Sequence, residues 1–187
     1  MRGKNPPIVF LDRDGVINEF PGMGNYVISE QGLRIIPGAL QGIQLLTAAG
    51  CELHVVSNQG CVSRGLISRK GLDKLTANML ERVTAAGGRI QGVHYCVHQT
   101  TDDCECKKPK TALFLGALQG RPVDKASVFF IGDSEEDILA GKNLGCGTVL
   151  VLTGRVQPQG ISALAAQPDT VKRDLLEAAQ WLLEKKR

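Results

Sequence analysis

The sequence predicts an α/β fold, a doubly wound parallel sheet without a large cap domain, in a single domain over residues 1–187. Three observations predict it. Short apolar or β-branched runs recur along the chain, helix-length segments separate them, and polar residues suited to chemistry stand at the ends of four runs. Alternating strand and helix is the pattern of parallel sheets, whose ligands gather at the C-terminal strand edges.

The runs are "IVFLD" (8–12), "ELHVVS" (52–57), "GVHYCV" (92–97), "SVFFIG" (127–132) and "GTVLVL" (147–152). Each has the length and β-branched character of a strand buried on both faces. Helices are expected at 38–49 after Pro37, at 68–86 before the Gly87-Gly88 pair, at 110–119 after Pro109 and at 135–144 before Gly145. A last amphipathic helix at 172–185, carrying Leu175, Leu176, Ala179, Leu182 and Leu183, is expected to close the domain. Only short loops, 18–27 and 58–65, flank the first two strand ends, so nothing is long enough for an inserted cap domain.

Composition narrows the function classes. A chain of 187 residues with 43% hydrophobic content can bury a substantial core without disulfides. No apolar run approaches the roughly 18 to 20 residues of a membrane span, and the start of the chain does not read as a signal peptide. A cytoplasmic monomer is the expectation. The net charge of +3 is modest and spread out, which suits small anions better than nucleic acid, and 4% aromatic residues offer few platforms for base stacking. The isolated Cys51, Cys61 and Cys146 read as small buried residues.

The first strand edge reads "FLDRDGVIN". Asp12 and Asp14 stand two residues apart before Gly15, a spacing that lets both carboxylates face one point, although Asp and Gly also suit an ordinary turn. The fourth edge, "GDSEEDILAG", adds Asp133, Ser134 and Asp137 at a helix start, where capping alone would explain one acid. Converging carboxylates with room for water are what Mg²⁺ binds. Ser57, Asn58 and Gln59 follow the second strand, and Lys108 precedes Pro109. A metal, a hydroxyl and a cation together stabilise a phosphoryl group in flight.

In order, "DRDGV", "SNQ", "KKP" and "GDSEED" resemble the four motifs of the haloacid dehalogenase superfamily of phosphatases, covering residues 8–154. The resemblance implies that superfamily's Rossmann-like fold and its Mg²⁺-dependent hydrolysis of a phosphomonoester. By it, Asp12 is the nucleophile that forms an aspartyl-phosphate, and Asp14 is the general acid and base. Ser57 and Lys108 would hold the phosphoryl oxygens, with Mg²⁺ on the Asp12 carboxylate, the Asp14 carbonyl and Asp133. Asp137 would orient Lys108 or the metal waters.

Residues 95–110, "YCVHQTTDDCECKKPK", contain Cys96, His98, Cys104 and Cys106, four ligands that close one tetrahedral Zn²⁺ site. The C-x-H and C-x-C pairs depart from the usual C-x₂-C spacing, which leaves free thiols or redox chemistry open. Such a cluster before the motif lysine resembles the branch containing heptose bisphosphate phosphatases and histidinol-phosphate phosphatases. That resemblance implies a structural Zn²⁺ holding a substrate loop. The loops around the nucleophile favour a small sugar bisphosphate, with Asn58, Gln59, Arg64, Lys107 and Ser134 in substrate binding, whereas the compact ligand spacing points to histidinol phosphate. A nucleic-acid enzyme and a silent scaffold are the competing classes. His54 and His94, inside expected strands without a ligand-spaced partner, read as core or surface residues.

Overall fold

The computed structural model describes residues 6–185. Strands β1 (Ile8–Leu11), β2 (Glu52–Asn58), β3 (Gly92–Cys96), β4 (Val128–Gly132), β5 (Gly147–Val151) and β6 (Thr170–Lys172) form one sheet in the order β3-β2-β1-β4-β5-β6. Every pairing is parallel. Helices α1 (Ala39–Ala48), α2 (Arg69–Ala85), α3 (Ala112–Leu118), α4 (Glu135–Leu144) and α5 (Leu175–Glu184) cover its faces. Among the described residues, no helix is long and apolar enough to cross a membrane.

Period-two alternation divides β1 between two cores. Val9 and Leu11 join the α1, α2 and α5 side, while Ile8 and Phe10 face α3 and α4. On the second side Phe114 of α3 is fully buried and meets Phe10 and Phe130 edge-on, with ring centroids 5.0 and 4.9 Å away. Truncating such a ring to alanine costs about 3–5 kcal/mol. On the first side Gly42 brings α1 against the start of α5, where a Cβ would stand 2.9 Å from the Leu175 carbonyl oxygen.

Local signals set the helix ends. Ser68 accepts from Gly71 N–H to start α2, and Asp174 accepts from Glu177 N–H to start α5. Sequence reading therefore began the last helix too early: residue 172 belongs to β6, a strand absent from the expected set. Three half-buried residues between Asp169 and the Asp174 cap carry too little periodicity to announce a strand.

The strand order reverses between β1 and β4. The chain winds outward through β2 and β3 on one side and through β5 and β6 on the other. The crevice at that reversal is where a doubly wound sheet binds its ligand.

Candidate active site

Leu11 and Ile131 are in register, so Asp12 and Asp133 leave adjacent strands side by side. Asp12 N–H still bonds to the Ile131 carbonyl at 2.9 Å, and Arg13 N–H donates to Asp12 Oδ1 at 2.7 Å. Lys108 enters from the loop before α3. Its Nζ, buried with the rest of its side chain, lies 3.0 Å from Asp12 Oδ2, 2.6 Å from Asp137 Oδ1 and 3.2 Å from the Val56 carbonyl oxygen. Asn58 clips the backbone beneath it, accepting from Lys108 N–H at 3.0 Å and donating to its carbonyl at 3.2 Å.

Asp137 occupies the third position of α4, in a reciprocal cap with Ser134. Its Oδ2 accepts from Ser134 Oγ at 2.6 Å and from the Ser134 and Asp133 backbone N–H groups at 3.1 and 3.2 Å. Helix capping and lysine placement are thus the same side chain's work. The Ser134 hydroxyl is committed to this cap, at the edge of the catalytic crevice.

Burial pushes the Asp12 carboxyl up to about 6, against the pull of the Lys108 ammonium. Asp133 is raised well above the carboxylate range, first by burial and then by Asp137 and Asp12. Lys108 is held protonated: burial disfavours its charge, but Asp12 and Asp137 outweigh it. Asp12, Asp133 and Asp137 bring ligating oxygens within 4.8 Å of one another around a single ammonium. With all three ionised against one cation, an excess of two negative charges would remain, which a divalent ion would neutralise, and hard oxygen donors suit Mg²⁺. Backbone packing sets the aim of Asp133: a Cβ at Gly15 or Gly154 would collide with its carboxylate, and Arg155 N–H holds its Oδ2 at 2.8 Å.

Asp14 faces the crevice from the other side, clamped by Arg13, Asn18 and Gln59. Arg13 Nε and Nη2 bond to its Oδ1 at 3.0 and 2.9 Å, and Nη2 also reaches Oδ2 at 3.0 Å. Asn18 donates to Oδ1 at 2.8 Å and Gln59 to Oδ2 at 2.9 Å. A carboxylate offers about four lone-pair sites, and these donors fill them. Gln59, fully buried and also donating to Ser57 Oγ at 3.2 Å, supports the acid instead of meeting solvent.

Outside this crevice lies a polar cavity of about 210 Å³. Loops 18–27 and 58–65 and the segment after β3 wall it, presenting Tyr26, Arg64 and Lys107. Arg64 sits over the Tyr26 ring at 5.9 Å, and Lys107 donates to Thr100 Oγ1. Asn58, Glu136 and Arg155 border both spaces, so the cavity continues into the crevice. Sequence reading singled out neither Glu136 nor Arg155. Arg155 had a usable signal: it follows the fifth strand at the same sheet edge as the other site residues, and that edge went unread.

Cys96, His98, Cys104 and Cys106, spread over the eleven residues 96–106, converge on one point. Sγ atoms of Cys104 lie 3.5 Å from those of Cys96 and Cys106, and His98 Nδ1 is 3.2 and 3.8 Å from Cys106 and Cys96. The edges of a tetrahedron around Zn²⁺ with sulfur at ~2.3 Å are about 3.8 Å. The cluster fits a closed four-ligand site, with the sulfur pairs moving apart by a few tenths of an ångström to admit the ion.

A family model for HAD-like hydrolases matches residues 105–178. The D-glycero-beta-D-manno-heptose-1,7-bisphosphate 7-phosphatase of Vibrio cholerae is 34% identical over 175 residues, covering 89% of this chain and 92% of that protein. This chain belongs to that phosphatase family. Its Rhodopseudomonas palustris member is 38% identical over 146 residues, 74% of this chain and 79% of the relative. The D,D-heptose 1,7-bisphosphate phosphatase of B. bronchiseptica, crystallised with magnesium and phosphate, superposes with a TM-score of 0.87 at 31% identity, covering 96% of this chain and 99% of that one. The family's haloacid dehalogenase-like fold is the six-stranded sheet described above.

Proposed function

We propose that this chain is a Mg²⁺-dependent phosphatase that removes the C7 phosphate of D-glycero-D-manno-heptose 1,7-bisphosphate. The observation that carries the reading is a carboxylate nucleophile in a small crevice opening directly into a cation-rimmed polar cavity: a place for one phosphate at Asp12 and for a second near Arg64, Lys107 and Arg155. Kinship with the 7-phosphatase family supports the substrate.

Asp12 Oδ attacks the phosphorus and the ester oxygen leaves, giving an aspartyl-phosphate. Asp14 protonates the departing alkoxide, then takes a proton from the water that hydrolyses the acyl phosphate, so the acid is restored. The filled lone pairs of Asp14 in its clamp mean that the protonated acid must turn one oxygen away from Arg13 or Gln59 before it donates. Lys108 and Ser57 hold the phosphoryl oxygens. The Asp12 and Asp133 carboxylates and the Asp14 carbonyl would hold Mg²⁺, which when bound would supply positive charge to those oxygens. Asp137 positions Lys108.

Cys96, His98, Cys104 and Cys106 would hold a structural Zn²⁺, which when bound would fix the loop that carries Lys107 into the cavity. Three cysteine ligands suit a reducing cytoplasm. A polar cavity of about 210 Å³ favours a small metabolite over nucleic acid.

Histidinol phosphate is the second reading, favoured by the five-residue spacing between the ligand pairs and by Lys107, which cannot make arginine's bidentate phosphate contact. Against it, Arg64, Lys107 and Arg155 face a single carboxylate, Glu136, and would repel an amine. Comparing kcat/KM for both heptose 1,7-bisphosphate anomers with histidinol phosphate tests the choice. A tenfold preference for histidinol phosphate overturns the substrate assignment, and failure to release phosphate from any of them overturns the activity.

A further inference from the structure

Outside the catalytic crevice, the register of β2 and β3 pairs His54 with Gly92 and Val56 with His94. Both imidazoles therefore project from the same face on neighbouring strands. His54 Nδ1 and His94 Nε2 stand 3.3 Å apart. On the opposite edge of the His54 ring, Nε2 lies 2.8 Å from Glu52 Oε1, and Arg121 grips that carboxylate through Nη2 at 2.5 Å and Nη1 at 3.1 Å. Sequence spacing hid the cluster, because forty residues separate the two histidines.

Three features make the pair more than a contact between rings. The Arg121 hydrogen bond lowers the Glu52 carboxyl, despite its partial burial, so an anion faces His54 Nε2. In the neutral ring, an anion there places the proton on Nε2 and the lone pair on Nδ1, toward His94. Second, the His94 ring is only half-buried, and it turns Nε2 toward His54 Nδ1. Third, Gly92 is not demanded by its backbone, whose φ lies outside the left-handed region. Yet a Cβ there would sit 2.7 Å from His94 Nε2 and 2.8 Å from His54 Nδ1. Both nitrogens converge on the one point that a side chain at this position would fill.

We propose that His54 Nδ1 and His94 Nε2 form a site for a borderline divalent cation such as Zn²⁺, with water completing its coordination. Zn–N bonds of ~2.0–2.1 Å at the tetrahedral angle place two nitrogens about 3.3–3.4 Å apart, the separation found here. Imidazole pairs suit Zn²⁺, Ni²⁺ and Cu²⁺ and not Mg²⁺. Glu52 serves as the outer carboxylate that fixes the ligand's tautomer. His54 is buried and His94 half-buried, so the cation enters from the His94 side and clasps the edge strand β3 to β2. This strand ends at Cys96, the first residue of the cysteine cluster.

The chain has three histidines, so each ring can be followed by long-range ¹H–¹⁵N spectra of labelled protein as isolated, with Mg²⁺ present. Adding ZnCl₂ should shift the His54 Nδ1 and His94 Nε2 resonances together and saturably. His94→Gln should abolish the His54 response while leaving phosphate release unchanged, and Glu52→Gln should weaken binding ~10–100-fold, the usual cost of losing an outer partner. His54 and His94 resonances that stay fixed up to millimolar zinc, or an undiminished His54 response in His94→Gln, overturn the proposal. Loading the cysteine cluster with one equivalent of zinc before the titration keeps its filling, two residues from His94, from being read as binding at the histidine pair.

Discussion

Lys108 Nζ and Asp137 Oδ1 form a 2.6 Å ion pair in which both side chains are sealed from solvent. Removing one partner of a buried pair typically costs ~3–5 kcal/mol, because the other charge stays behind unpaired. Lys108→Met should cost about this much in the metal-free protein and should abolish turnover, since Asp12 also loses its ammonium. Mg²⁺ should restore part of the lost stability by neutralising the carboxylates. Urea unfolding with and without MgCl₂ checks this; a midpoint equal to wild type without Mg²⁺ would count against the pair.

Asp12→Asn should eliminate phosphate release while leaving the unfolding transition cooperative, because an amide keeps the shape but not the nucleophile. Asp14→Asn should lower turnover most for substrates with basic leaving groups, where protonation of the alkoxide matters more. A series of aryl and alkyl phosphates measures the dependence. Asp12→Asn activity within tenfold of wild type would contradict the nucleophile assignment.

Metal analysis of protein purified without chelator should find about one zinc per chain from the cysteine cluster, with the weaker histidine pair emptied by dialysis. Closed sites contribute to folding, so Cys104→Ser should lower the thermal midpoint and raise hydrogen exchange in residues 96–110 more than in β1 and β4. Unchanged exchange in that loop would argue against a metal.

Most of this architecture was legible because each strand end carries its own chemical punctuation. Asp12, Ser57 and Asp133 could be placed at one edge from the alternation alone, and the ligand spacing exposed the cysteine cluster. What stayed hidden depends on register or on long side chains. Gln59 faces Asp14, a partner only tertiary structure supplies, Asn58 holds the Lys108 backbone across fifty residues of sequence, and the His54 and His94 contact needs the β2–β3 register. The β6 strand escaped because three half-buried residues have no period to read.

Asp169 gives the acid limb of stability a testable origin outside the site. Burial raises its carboxyl, but Lys142 and the Thr148 N–H and hydroxyl outweigh this and hold it below the ordinary value of 3.8. A depressed folded value means that the stabilisation is present above the unfolded value and fades as pH falls through the folded one. Asp169→Asn should therefore remove a contribution seen at pH 7 and flatten the loss of stability below pH 4. Denaturant midpoints from pH 2 to 7 test the sign; a variant with the same acid slope as wild type would show that Asp169 does not contribute.

Arg155 offers the sharpest test of how the cavity reads its substrate. Its backbone N–H holds Asp133 and survives any side-chain change, while its guanidinium, over the Phe20 ring at 5.3 Å, borders both crevice and cavity. If the guanidinium meets the second phosphate, Arg155→Ala removes a charge-assisted hydrogen bond of roughly 1.5–3 kcal/mol. That corresponds to a fall of about 10–150-fold in kcat/KM for the bisphosphate, carried by KM because the contact is equally present in ground and transition states. An aryl phosphate has no second anion and should be hydrolysed by the variant nearly as well as by wild type. Equal losses on both substrates would move Arg155 from the distal phosphate to the reacting one.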